Sequence, residues 1–266
     1  MLNSSVAELR TGPGNSTATE TYNGSTWTTS PSSLATARSY LSGIGTQTAA
    51  LAVGGYVGPL NSGSTESFNG STWTTSPATL NTPRRASGGA GLQTAALTFG
   101  GYATNYSAAS ESYNGTTWTN TPSMNTARTL RGVGTQTAGL GFGGEAASPA
   151  STGATETYNG SAWTSVNSMT TARQGLAGSG TQTAALGYGG APPTNSPSST
   201  SAETWNGSVW TNLPSMSTAR LYPGGNGVQT SALAISGQPS PGARTAATEL
   251  WTGEASTAGS KTLTTS

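Results

Sequence analysis

Read as a string, the chain repeats one phrase from end to end. The stretch Thr19 to Gly55, TETYNGSTWTTSPSSLATARSYLSGIGTQTAALAVGG, returns with edits, and the glutamate of its opening motif falls at Glu20, Glu66, Glu111, Glu156, Glu203 and Glu249. The steps between these glutamates are 46, 45, 45, 47 and 46 residues. A fixed period of this size marks stacked or radial repeats, in which each supersecondary unit buries its hydrophobic face against the next. The repeat runs through the whole chain, so a single domain over residues 1–266 is expected.

The composition would otherwise argue for disorder. Leu, Ile, Val and Phe together number only 30 of 266 residues, and so thin an apolar content usually cannot support a core. The formal net charge, however, is only +1, and the seven Trp and nine Tyr recur at fixed places in the repeat. A disordered tract has no reason to space its aromatics so regularly. Three residue types are missing altogether: Cys, His and Asp. Disulfides, thiolate nucleophiles and zinc-type sites are thereby excluded, and neither a cofactor nor a metal is expected.

The charge balance offers no basic field for nucleic acid. Only Arg84–Arg85 and the Arg128/Arg131 pair make local basic spots. The opening MLNSSVAELRTG lacks the regions of a signal peptide, and no run has the length of a membrane span. The expectation is a chain made as a soluble protein in the cytoplasm and not inserted in a membrane.

Each unit reads as four short strands. After an arginine such as Arg38 comes a Gly-rich strand a (YLSGIGT), then a turn at Thr46-Gln47, then strand b (TAALAVGG). A variable loop precedes strand c (TESFNG in the second unit), an Asn-Gly turn follows, and strand d starts at a Trp. Strand b carries large residues on one face (Leu97/Phe99, Leu140/Phe142, Leu186/Tyr188, Leu233/Ile235) and small ones on the other. Such a sheet packs bulky face to small face on a copy of itself, as radially arranged blades do. The Gly-rich strand a suits the crowded centre.

The ends fit the same grammar. Leu2–Arg10 aligns with a strand b, TELWTG (248–253) with a sixth strand c, and KTLTTS (261–266) is a last strand that either finishes the sixth blade or supplies an inner strand to the first. An all-β fold of six four-stranded blades, with five as the alternative, is expected, its ring closed by both termini so that no sheet edge stays open.

Arg…Gly-Gly…Tyr…Trp at this spacing resembles the kelch repeat, and the chain resembles a kelch-type β-propeller over essentially its whole length. The positions that carry the likeness are Gly54-Gly55 with Phe68 and Trp73, Gly100-Gly101 with Tyr113 and Trp118, Gly143-Gly144 with Tyr158 and Trp163, and Gly189-Gly190 with Trp205 and Trp210. The last unit departs: Ser236-Gly237 replaces the glycine pair, and no Trp follows Trp251. The wording TETYNGSTWT with GTQTAAL also resembles kelch-like repeats of bacteriophage virion proteins, capsid- or tail-associated.

Six Glu and five Arg (Arg38, Arg84 or Arg85, Arg128, Arg173, Arg220) belong to the repeat. A charge that returns once per unit reads as a structural ion pair tying strand c to strand a or to the next blade. The Asn-Gly turns at Asn23, Asn69, Asn114, Asn159 and Asn206 are formal N-glycosylation acceptors, which the hairpins explain without glycans. Gln47, Gln93, Gln136, Gln182 and Gln229 sit in five a–b turns, where their amides can either bind a sugar or neighbouring protein or close their own turn. The b–c loops Tyr56–Ser64, Tyr102–Ala109, Glu145–Ala154, Ala191–Ser201 and Gln238–Ala247 differ most between units. Variable loops on a rigid scaffold are where recognition resides, and Tyr56, Tyr102, Asn105 and Tyr106 are the contact candidates there.

Catalysis finds little to work with. A propeller oxidase of the copper-radical kind needs Cys and His, a propeller sialidase needs Asp, and only Glu8, Glu145 and Glu254 lie outside the repeat for a carboxylate pair. No catalytic residue is assigned. The functional expectation is a non-enzymatic virion structural or binding protein of a bacteriophage. It would be a capsid decoration, fibre or tail-associated subunit, exposed on the virion, with neighbouring virion proteins or a host surface glycan or receptor as partners. A lectin-like carbohydrate-binding propeller and a bacterial interaction adaptor are the alternatives.

Overall fold

The computed structural model describes residues 15–147, 151–193, 198–239, 241, 243–253 and 263–265, and every regular element among them is a β-strand. The first two, β1 (Glu20–Tyr22) and β2 (Trp27–Thr29), form an antiparallel pair. In blade I, β3 (Ser42–Thr46) and β4 (Ala49–Val53) lead through a small hairpin, β5 (Tyr56–Val57) and β6 (Leu60–Asn61), to β7 (Ser64–Phe68) and β8 (Trp73–Thr79). Blade II is β9 (Gly88–Leu92), β10 (Ala95–Phe99), β11 (Ser110–Tyr113) and β12 (Trp118–Thr121). Blade III is β13 (Thr129–Gly134), β14 (Gly139–Glu145), β15 (Thr155–Tyr158) and β16 (Trp163–Val166). Blade IV is β17 (Ala177–Gly180), β18 (Ala185–Tyr188), β19 (Ala202–Trp205) and β20 (Trp210–Leu213). Blade V is β21 (Gly224–Val228), β22 (Ser231–Ile235), β23 (Thr248–Thr252) and β24 (Leu263–Thr265).

Six blades were the expectation and five the alternative; the described residues form five four-stranded blades, besides the β1–β2 pair and the small β5–β6 hairpin. The strand in KTLTTS pairs with β23, Trp251 opposite Leu263, so it completes blade V as its outer strand. Leu2–Arg10, Glu8, Glu254 and Lys261 lie outside the described residues. The β1–β2 pair sits between blades V and I. Trp27 Nε1 donates to Thr248 Oγ1 of blade V at 3.0 Å, while Trp73 Nε1 of blade I donates to Thr19 Oγ1 at 3.0 Å.

That indole bond recurs around the ring: Trp118 to Thr65, Trp163 to Ser110 and Trp210 to Thr155. Each strand-d Trp therefore reaches a hydroxyl on strand c of the preceding unit and satisfies an N–H that burial would otherwise strand. One step breaks the series. The acceptor position in blade IV is Ala202, and the register position that would carry the matching Trp in blade V is Leu263. Donor and acceptor are absent together.

The bulky-on-small packing holds. The Phe99 ring of blade II lies on blade III, 4.6 Å from the Trp163 centroid, and Phe142 of blade III lies 4.9 Å from Trp210 of blade IV. Inner-strand glycines make room for these rings: a Cβ on Gly132 or Gly178 would lie 2.5 Å from Cζ of Phe99 or Phe142. The glycine pair that ends strand b has a second reason. Gly54 and Gly55 both have positive φ, and the Gly55 N–H donates 2.9 Å to the carbonyl of Arg84, which leads into the next blade. In the last unit Ser236 takes the same left-handed conformation (φ 57°) and its hydroxyl donates to Thr245 O at 2.8 Å.

The five repeat arginines and five of the six repeat glutamates are scaffold. Arg38–Glu66, Arg84–Glu111, Arg128–Glu156, Arg173–Glu203 and Arg220–Glu249 form ion pairs whose side chains are at most 1 % exposed. Each pair ties the residue leading into strand a to strand c of the same blade. The carboxylate also accepts two backbone N–H groups of the incoming turn, such as Thr170 and Thr171 on Glu203. The guanidinium in turn donates to strand-end carbonyls, such as Gly189 O at 2.8 Å and Ser201 O at 2.7 Å from Arg173. Burial lowers the pKa of Arg84, Arg128 and Arg173, with the paired glutamate pushing it back up.

Candidate functional site

The strands converge on an axis with a hollow at each end. One hollow, of about 180 Å³, is walled by strand-a backbone and a–b turns, chiefly Gly45, Gly91, Gly134, Gly180 and Gly227. Beside peptide groups its lining includes the side chains of Ile44, Val133, Ser179 and Asn226. The other, of about 420 Å³, opens on the face that carries the b–c loops and d–a connections. Its wall contains Tyr40, Tyr56, Arg85, Tyr102, Tyr106, Arg131, Glu145, Gln174 and Tyr222.

Two local devices aim these side chains inward. First, the residue after the repeat arginine pairs through its backbone with the first residue after the glycine pair. Arg85 N–H donates to Tyr102 O at 3.0 Å and Tyr102 N–H to Arg85 O at 2.8 Å; Ser39 and Tyr56 repeat the arrangement. Second, in every blade but III the residue two after the repeat arginine is left-handed: Tyr40 has φ 55°, Ala86 53° and Tyr222 54°. For a bulky side chain this conformation is costly and marks a position held by its surroundings. Gly175 occupies the same place in blade IV, and a Cβ there would lie 2.5 Å from the Tyr222 ring. Tyr40 and Tyr222 meet edge to face at 5.9 Å, from the two ends of the sequence.

The centre of the wall is Arg85. Its guanidinium lies 5.0 Å from the Tyr56 ring centroid and 4.7 Å from that of Tyr102, and its Nη1 donates to Asn61 Oδ1 at 3.2 Å. The two rings hold the cation in place by cation–π attraction and leave it without a carboxylate partner among the described residues. Arg131 Nε donates to Leu176 O at 2.6 Å. Tyr106 packs edge to face on Tyr102 at 5.5 Å, with Glu145 on the same wall. Burial, with the Glu145 carboxylate nearby, pushes its pKa up to about 12, so the phenol stays protonated.

Tyr56, Tyr102 and Tyr106 thus come together, as candidates on variable loops should. Asn105 is exposed on the same loop but is not part of the wall. The five glutamines go elsewhere. Their Nε2 groups donate to carbonyls one unit back: Gln47 to Tyr22, Gln93 to Phe68, Gln136 to Tyr113, Gln182 to Tyr158 and Gln229 to Trp205. They stitch neighbouring units at the opposite end of the axis. The Asn-Gly turns close themselves, with Asn69 Oδ1 accepting from the N–H groups of Ser71 and Thr72 at 3.0 and 2.8 Å. Arg85 and Arg131, read from the sequence only as basic spots, and Tyr40 and Tyr222 were not singled out as contact residues. The signal for them is an arginine or tyrosine one to three residues after the repeat arginine. Among the described residues no cluster of acidic side chains suits a metal ion.

No protein-family model and no curated protein sequence matches the chain. Among solved structures, that titled "Structure of YjhT" superimposes with a TM-score of 0.76, covering 99% of this chain and 97% of that one at 13% identity. The fold is a β-propeller. At that identity the likeness carries the architecture alone.

Proposed function

We propose that this β-propeller is a non-enzymatic binding module that presents its b–c loop face to a partner, and that it serves as a bacteriophage virion component of capsid, fibre or tail. One observation carries the binding half of this reading: all five repeat ion pairs are buried in the scaffold, while Arg85, Arg131, Glu145 and five tyrosines gather at one mouth of the axis. The virion half is supported by the wording of the repeat, which resembles kelch-like virion repeats. We also read the β1–β2 pair, placed between blades V and I at one repeat's distance, as the outer half of a sixth kelch-type blade.

The test is co-purification. The reading expects the polypeptide in banded phage particles, in fixed ratio to the major coat protein. Absence from particles, with the chain recovered on a cytoplasmic partner, contradicts it. A second reading, a carbohydrate-binding propeller outside any virion, is favoured by the five tyrosines around the funnel. It expects glycan binding by the purified chain and no association with particles.

A further inference from the structure

The β1–β2 pair is placed by the same contacts as its counterpart one unit later, and this fixes the register of the chain from Asn15 onward. The Ser39 hydroxyl donates to Asn15 Oδ1 at 3.0 Å, as Arg85 Nη1 does to Asn61 Oδ1. Arg38 N–H donates to Ser16 O at 3.1 Å, as Arg84 N–H does to Ser62 O, and Leu34 N–H donates to Thr17 O as Leu80 N–H does to Gly63 O. The sequences agree: TGPGNSTATE at 11–20 matches VGPLNSGSTE at 57–66. In blade I the strand that leads to Asn61 is β4, residues 49–53; at the same spacing from Asn15 stand residues 3–7.

The slot for such a strand is visible from the other side. In each four-stranded blade strand c pairs on both edges, as β7 does with β4 and β8, whereas among the described residues β1 pairs with β2 alone. Asn23 N–H donates to Thr26 O and Ser30 N–H to Thr19 O, so by the alternation of an antiparallel ladder Glu20 and Tyr22 turn their N–H and C=O groups to the inner edge. Inner strands of successive blades adjoin, β3 with β9, β9 with β13, β13 with β17 and β17 with β21, and nothing comparable joins β21 to β3 among the described residues. Backbone groups inside a ring cost free energy unless another strand covers them.

We infer that residues 3–7 add to β1 as strand b of the sixth blade and close the ring between blades V and I; this rests on the reading of the β1–β2 pair as that blade's outer half. In blade I, Ala50 pairs with Phe68, Leu51 with Ser67 and Ala52 with Glu66. The same register sets Ser4 opposite Tyr22, Ser5 opposite Thr21 and Val6 opposite Glu20. Thr98, of valine's size, holds the place of Val6 in blade II, opposite Glu111. The glutamine stitches fit this register. Gln93 donates to Phe68 O and Ala50 O, and Gln136 to Tyr113 O and Ala96 O. Gln47 donates to Tyr22 O, and the matching strand-b carbonyl is that of Ser4. Ser5 and Ala7 stand where other units carry Leu and a bulkier side chain, so this strand is held by its backbone more than by apolar burial.

The chain has no Cys, so an engineered pair of thiols reports its own contact. The register puts Ser5 and Thr21 at a non-hydrogen-bonded position, where Cα atoms lie about 4.5 Å apart and a disulfide fits. Ser5→Cys/Thr21→Cys in the full chain, mildly oxidised, then unfolded and digested with trypsin, should yield peptide 1–10 joined to peptide 11–38. Ser5→Cys/Ser67→Cys puts the second thiol at the same register in blade I and should give at least about tenfold less linked product. Unchanged melting temperatures of the reduced variants show that both are folded. A link within one chain at position 21 and not at 67 supports the inference. It is overturned if no link forms, if both pairs link equally, or if non-reducing electrophoresis shows that the link joins two chains, which assigns the strand to a second copy. Amide exchange separates this failure from failure of the half-blade reading. Slow exchange at Glu20 and Tyr22 without a link keeps the half blade and rejects residues 3–7 as its strand; fast exchange at both rejects the two together.

Discussion

Replacing Glu203 by Gln isolates what the buried ion pairs contribute. In blade IV the Arg173 Nη2 lies 2.9 Å from Glu203 Oε1, and both side chains are 0 % exposed. The carboxylate also accepts from Thr170 N–H at 2.7 Å. Glutamine keeps the shape and one carbonyl oxygen for that N–H, but it removes the counter-charge. Arg173 keeps its bonds to the carbonyls of Gly189 and Ser201, which solvate the guanidinium without neutralising it. Stranding a buried charge in this way costs about 3–5 kcal/mol. For a chain of this size about 1 kcal/mol moves the melting temperature by about 2–4 °C, so a drop of about 6–20 °C is expected. Urea unfolding followed by tryptophan fluorescence gives the free energy independently. Glu203→Ala should cost more, because two turn N–H groups then lose their acceptor. A loss below about 1 kcal/mol for Glu203→Gln would refute the reasoning, since an exposed pair gives that much at most.

Two further outcomes follow from the same geometry. Tyr106 and Tyr188 have pKa values pushed up to about 12, mainly by burial. In the unfolded chain both phenols ionise near 10. The folded state holds its protons longer, so these groups take stability away as pH rises from about 10 toward about 12. Spectrophotometric titration should show late-ionising phenols that vanish in Tyr106→Phe and Tyr188→Phe; a single wave near pH 10 with the fold intact contradicts this. The paired absence at Ala202 and Leu263 predicts a repair. Ala202→Thr with Leu263→Trp should restore the missing indole-to-hydroxyl bond and raise stability by about 1 kcal/mol or more, whereas Ala202→Thr alone should lower it by leaving a buried hydroxyl unpartnered.

The parts of the molecule that were legible in the sequence are those that recur. Glu66, Glu111 and their counterparts return every unit, so their role as structural partners of the arginines could be read before any coordinates. Bulky Phe99 and Phe142 and the glycines that receive them were legible for the same reason. The glutamines were legible as a ring, but not their partners, because each amide reaches a carbonyl one unit back and no local pattern records which. The funnel was half legible. Tyr56, Tyr102 and Tyr106 stand on variable loops, which drew notice. Tyr40 and Tyr222 stand at left-handed positions without glycine, so nothing in the sequence marks the turn that aims them. Arg84-Arg85 was ambiguous as a doublet: one residue belongs to the buried pair with Glu111 and the other to the funnel wall.

That doublet supplies the most direct test of the central claim, which is that repeat charges hold the ring together while surplus charges do the work at its mouth. Equilibrium unfolding of Arg84→Ala and Arg85→Ala compares two adjacent residues of one type. The account predicts a loss of about 3–5 kcal/mol for Arg84→Ala, which strands Glu111, and about 1–2 kcal/mol or less for Arg85→Ala, which gives up two cation–π contacts at a partly exposed site. Equal losses, or the larger loss at Arg85, would contradict it.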